Sequence, residues 1–112
     1  MKLYRVEDSD RQGCYASFPR SLEMLEMAER HVKTYDKHPN PTRDSGIQRH
    51  IDSDERCAFS DIEQLLDWFT EPELEMLRNN GFNVVEFEAT PTVIGAKQVL
   101  FKSDSRKDVV KC

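Results

Sequence analysis

The stretch from Ser60 to Gly81 constrains this chain more than any other. Ser60 and Glu63 stand at the S-x-x-E spacing of a capping box, in which a hydroxyl and a carboxylate satisfy the exposed N–H groups of a helix start. Ile62, Leu65, Leu66 and Phe69 follow as an apolar stripe. Thr70 and Glu73 repeat the box, with Pro72 in the first turn, where its missing N–H costs little. Asn80-Gly81 is a stop signal, because glycine enters the left-handed conformation without a Cβ clash. Two helices, about 61–69 and 71–79, are predicted.

A third helix is predicted over 21–36. Phe18-Pro19-Arg20-Ser21 reads as its entry, with Ser21 as N-cap. Leu22, Leu25, Ala28 (or Met27), Val32 and Tyr35 form its expected core face, and Glu23, Glu26, Glu29, Arg30 and Lys33 the other. Met1–Glu7, 82–89 and 97–102 read as strands, rich in Val, Phe and Leu. Residues 8–13 read as a turn, and 90–96, with Pro91 and Gly95, as the loop joining the last two strands. Residues 36–56 carry two prolines, Gly46 and many polar side chains, so no regular element is expected there. So long an irregular segment in a compact domain is functional or mobile, and the functional reading is preferred. The tail from Ser103 is polar and expected to fray, with Val109 and Val110 available to dock. The expected class is α+β. A single domain over 1–102 would pack a short antiparallel sheet, the N-terminal strand plus a C-terminal hairpin, with about three helices, and 103–112 would be a tail.

At 112 residues such a domain can bury roughly 65% of its unfolded surface, enough to fold without staples. The net charge of -5 argues against a nucleic-acid surface and suits a basic protein partner. Cys14, Cys57 and Cys112 are odd in number, widely spaced and in no CxxC, which argues against a disulfide framework and a zinc module. With no apolar leader and no run near the roughly 20 residues of a membrane span, a cytoplasmic location is expected.

Four sets of residues could carry chemistry. His31, His38 and His50, with Asp36, Asp44 and Asp52, do not follow a ligand spacing, so no metal is expected. Cys57 or Cys14 with His38 or His50 could form a thiol–imidazole pair, Cys57 being helped by Arg56; the plainer reading packs Cys57 in the core beside Phe59. Asp54, Glu55, Glu86 and Glu88 offer carboxylates, and Glu86 and Glu88 share one strand face, which suits solvent equally well. Trp68 and Phe69 lie about 100° apart on a helix, so one of them is expected to be partly exposed, where it could serve a partner.

Several fragments together carry a resemblance: Leu3-Tyr4-Arg5-Val6-Glu7, Gly13-x-Tyr15, His38-Pro39-x-Pro41, Asp44-x-Gly46, Cys57-x-Phe59-Ser60, Glu63-x-Leu65, Trp68-Phe69, Gly81-Phe82 and Gln98-Val99-x-Phe101. Over nearly its whole length the chain resembles a family of small proteins encoded by phages and mobile elements. The layout is also similar to a reduced ADP-ribosyltransferase fold. That likeness implies Arg5 at the phosphates of NAD, with Tyr4, Tyr15 and His38 also at the cofactor. It implies Phe59 and Ser60 on the nicotinamide side and Gln98 at the late-strand position of a catalytic Glu. Gln98 is neutral and cannot stabilise a developing cation, so Glu88 or Glu86 would take that part.

Two expectations follow. In the first, the protein is a phage-type accessory factor that needs no cofactor and occludes a host or defence protein with its acidic surface and the 36–56 loop. In the second, it is an enzyme transferring ADP-ribose from NAD to such a protein.

Overall fold

The computed structural model describes residues 1–15 and 20–108. Phe18, Pro19, Val109, Val110 and Cys112 lie outside the described residues. Strand β1 (Lys2–Glu7) leads to helix α1 (Leu22–Lys33), then β2 (Glu55–Ala58), α2 (Ile62–Trp68) and α3 (Glu71–Asn79). Strands β3 (Asn83–Glu88), β4 (Pro91–Ile94) and β5 (Val99–Lys102) follow, then a 3-10 turn (Ser103–Ser105) and β6 (Lys107–Asp108). The class is α+β, with three helices and two antiparallel three-stranded sheets, ordered β1-β3-β6 and β2-β5-β4. No helix among the described residues is long and apolar enough to cross a membrane.

The helix ends follow their caps. Thr70 and Glu73 complete a full capping box on α3, and Gly81 closes it at φ +88°. Ser21 caps α1 as expected, but α1 ends at Lys33, with Thr34 as its C-cap. On α2 the expected box is displaced by one residue. Asp61, not Ser60, is the N-cap and accepts from Gln64 N, while the Gln64 side chain takes up Ser60 N at 2.9 Å. The helix therefore starts one residue later, with the aspartate as cap and the glutamine serving the serine before it.

Several sheet expectations are corrected. The strand near 82–89 does not pair with 97–102. It pairs with β1 in the register Leu3↔Phe87 and Val6↔Val84, and the C-terminal hairpin is β4–β5 within 90–102. The 36–56 stretch ends in the first half of β2, whose Glu55-Arg56-Cys57-Ala58 shows no apolar alternation but pairs along β5. Residues 103–108 are not frayed, because Arg106 reaches Glu7 at 2.6 Å and stacks 4.3 Å over Phe87 while β6 extends the first sheet.

The two sheets meet where Tyr4 and Phe59 exchange backbone hydrogen bonds of 2.8 and 2.7 Å. One core, under the helices, contains Val6, Met27, Leu65, Trp68, Leu77 and Phe82; the other, between the sheets' remaining apolar positions, contains Leu3, Phe87, Val99 and Phe101. Trp68 and Phe69 both join the first core. Phe69 leaves the helix as an extended C-cap, which turns its ring inward and frees it from the 100° constraint.

The largest correction concerns α1. Met24, Met27 and His31 face the core, whereas Leu22, Leu25 and Val32, with Tyr35 just past the helix end, are exposed. The helix carries two stripes at i, i+3, i+7 spacing, Met24/Met27/His31 and Leu25/Ala28/Val32, displaced by one residue or about 100°. Flexible methionines and a histidine with a buried partner occupy the core side.

Candidate functional site

The 36–54 segment contains no helix or strand, yet it is held in place. Asp44 is 1% exposed and accepts from the N–H groups of Gly46 (3.1 Å), Ala96 (2.6 Å) and Lys97 (2.9 Å). These bonds tie the segment to the β4–β5 turn. Gly46 and Gly95 allow the contact: a Cβ on Gly46 would lie 2.7 Å from Gly95 Cα, and one on Gly95 would lie 2.6 Å from Asp44 Oδ1. A second tie is Gln98, buried just before β5, whose Nε2 donates to Pro39 O at 2.7 Å. A third is Glu55, 1% exposed, gripped by both terminal nitrogens of Arg49 at 2.7 and 2.8 Å and by Asp52 N at 3.0 Å. The Arg49 guanidinium holds the Glu55 carboxyl far below the usual carboxylate range.

Pinned in this way, the segment forms one wall of a cavity of about 700 Å³. The other walls are α1, the second half of β1, the end of β2 and the α2–α3 junction. The volume suits a small organic molecule or a partner's side chains.

Behind the cavity runs a closed chain of hydrogen bonds. Trp68 Nε1 donates to the Tyr15 hydroxyl at 2.6 Å, and that hydroxyl donates to His31 Nδ1. His31 Nε2 lies 2.9 Å from Glu73 Oε2, where it donates; Arg30 reaches the same oxygen at 3.1 Å, and Thr70 N donates to Oε1 at 2.9 Å. Burial and the neighbouring His38 lower the pKa of His31, so the ring is neutral at pH 7. Burial pushes Glu73 up, but Thr70 N–H, His31 and Arg30 outweigh it and leave the carboxyl below its ordinary value. Tyr15 titrates well above the ordinary phenol, chiefly through burial. The His38 ring stacks on His31 at 3.9 Å and 5°, and its Nε2 donates to Trp68 O at 2.6 Å. The network fixes the rings of Tyr15, His31 and Trp68 in place.

Five of the residues picked out in the sequence, Arg5, Tyr15, His38, Phe59 and Gln98, line this one cavity. Arg5 is held by Cys57 O (3.0 Å), Glu7 (3.3 Å) and Arg11 O (3.0 Å). Tyr4, Ser60 and Glu88 do not line it. Tyr4 donates to Glu86 at 3.0 Å, Ser60 serves the α2 start, and Glu88, half exposed on β3, pairs with the N-terminal ammonium at 3.2 Å. Glu86 pairs with Lys2 at 3.2 Å on the same outer face. Cys14 and Cys57 also line the cavity, but burial pushes their thiols up to about 12 and about 11, so neither is a thiolate at neutral pH, and neither His38 nor His50 bonds to them. Among the described residues, no group of three or more His, Cys, Asp or Glu is placed to hold a metal ion. Sequence reasoning missed the His31–Glu73 pair, because Glu73 reads as a cap and its contact with His31 crosses 42 positions.

No curated protein and no solved structure matches the chain. The phage part of the resemblance has support from a family comparison, and the ADP-ribosyltransferase layout has none. The sequence model of the bacteriophage T4 Y00F protein family matches residues 1–112, and the chain belongs to that family.

Proposed function

We propose that the protein is a phage accessory factor that acts in the cytoplasm of the bacterial host, where it binds and inhibits a host or defence-system protein. The observation that carries this reading is the outward apolar stripe of α1. Leu22 is 66% exposed, Leu25 42% and Val32 75% on a helix whose other side is anchored in the core, and Tyr35, just past its end, is 62% exposed. Aligned large apolar side chains at such exposure mark an interaction surface. Val32 and Tyr35 line the cavity together with Pro39, Pro41 and Arg43, so the stripe is continuous with the pinned segment through that cavity. The three helices carry exposed carboxylates: Glu26 and Glu29 on α1, Glu63 and Asp67 on α2, Glu71 and Glu75 on α3. With a net charge of -5, these acidic helices favour a basic protein over nucleic acid or an anionic membrane. Binding of this kind needs no cofactor.

The test is capture from host lysate by tagged wild type, against a Leu25→Asp/Val32→Asp variant of unchanged melting temperature. One host protein retained by wild type and at least about tenfold depleted with the variant is expected. Equal retention by both, or no retained protein, would overturn the proposal. The ADP-ribosyl-transfer reading is favoured by one observation, the meeting of Arg5, Tyr15, His38, Phe59 and Gln98 in the cavity. Label transferred from NAD to a lysate protein, and abolished by Arg5→Ala, would select that reading instead.

A further inference from the structure

The cavity differs in chemistry from the surface around it. The chain holds 21 Asp and Glu against 16 Lys and Arg, yet no carboxylate is among the described residues that line this cavity. Its charged lining residues are Arg5 and Arg43. The Arg5 charge is offset by Glu7 at 3.3 Å. Arg43 stands on the pinned segment at the exposed rim, and among the described residues its guanidinium makes no hydrogen bond or ion pair. The same cavity has an aromatic wall, with Phe59, Trp68 and Phe69 buried and His31 stacked on His38. Several of these ring edges are already fixed by hydrogen bonds, so the wall offers flat apolar faces without a reorganisation cost. A cationic rim over an acid-free aromatic wall, inside an acidic protein, is complementary to a flat ring that carries negative charge.

We infer that this cavity binds a small aromatic anion, a planar ring bearing one phosphate or carboxylate, with the ring against the aromatic wall and the anionic group on Arg43. The ring can belong to a simple aryl acid or to a nucleotide base; the recognition chemistry is the same. This goes beyond the proposed protein partner and does not depend on it.

The protein carries its own reporter, since Trp68 is its single tryptophan and lines the cavity. Purified full-length protein is titrated with phenyl phosphate, adenosine monophosphate and phenol, following Trp68 emission and the indole N–H resonance. Saturable changes with phenyl phosphate or the nucleotide are expected, with phenol and the Arg43→Gln variant each weaker by roughly tenfold or more. Arg43 is exposed, so the variant is expected to melt with wild type. Tighter binding of the nucleotide would identify a nucleotide ligand, and tighter binding of phenyl phosphate a simple aryl acid. No response of either signal to either anion, phenol binding as tightly as the anions, or Arg43→Gln binding like wild type would each overturn the inference. No lysate is involved, so this outcome is read independently of any captured protein.

Discussion

Helices α1 and α3 lie side by side, and they obey their sequences differently. Both begin at a hydroxyl cap, Ser21 and Thr70. In α3 the apolar positions Leu74 and Leu77 go to the core, as periodicity predicts. In α1 the stripe with the larger aliphatic residues goes to solvent, and the stripe with two methionines and a histidine goes inside. Caps decide where a helix starts, but they do not decide which stripe is buried when a sequence offers two. The arbiter here is a long-range polar contact. His31 can be buried because Glu73 on α3 accepts its Nε2 hydrogen at 2.9 Å, and that pairing rotates α1 into place.

The comparison can be broken most forcefully in the core. Leu77→Ala on α3 and Met27→Ala on α1 should each lose about 3 kcal/mol in denaturant unfolding, since both side chains are essentially inaccessible. A Met27→Ala cost below about 1 kcal/mol would mean that α1 is turned the other way. A smaller loss is expected on acidification. His31 has a folded pKa below its ordinary value of 6.5, so the stability it contributes is present above that pH and is lost as the pH falls from about 6.5 towards the folded value. Glu73, also lowered, adds a further loss only below its ordinary 4.5. The melting temperature should therefore decline between pH 7.5 and 5.5, and His31→Gln should flatten that slope. Thr70→Ala and Ser21→Ala should each cost about 1 kcal/mol, since each removes the side-chain oxygen that accepts from an N–H in the first turn, Glu73 N and Met24 N respectively. The smallest effect is expected from Val32→Ala, within about 0.5 kcal/mol, as it removes a methyl-bearing side chain that touches mainly water.

What the sequence disclosed was mostly local. The α3 box, the Gly81 stop, β1 and the interiors of β3 and β5 all follow from side chains a few positions apart. Strands β2 and β4 were not legible, because Glu55-Arg56-Cys57-Ala58 has no alternation and Pro91 at the head of β4 marks a loop in local reading. Both are strands only because β5 lies between them. The cavity was half legible. Its aromatic and Arg5 members stood out as unusual, but the pinning of the 36–54 segment depends on Asp44 meeting backbone 52 and 53 positions later, which no window reveals. Ser60 and Glu88 stood out equally and are employed elsewhere, in a helix start and an N-terminal ion pair.

The meeting of Tyr4 with Phe59 has a mechanical meaning. Among the described residues, the two three-stranded sheets are joined backbone to backbone at this residue pair, and Leu3 and Phe87 of one share an apolar cluster with Val99 and Phe101 of the other. A twist of one sheet against the other would strain those two peptide groups along with the shared packing of Phe87 on Phe101. Phe59 is also a wall of the cavity, so whatever fills that space presses directly on that joint.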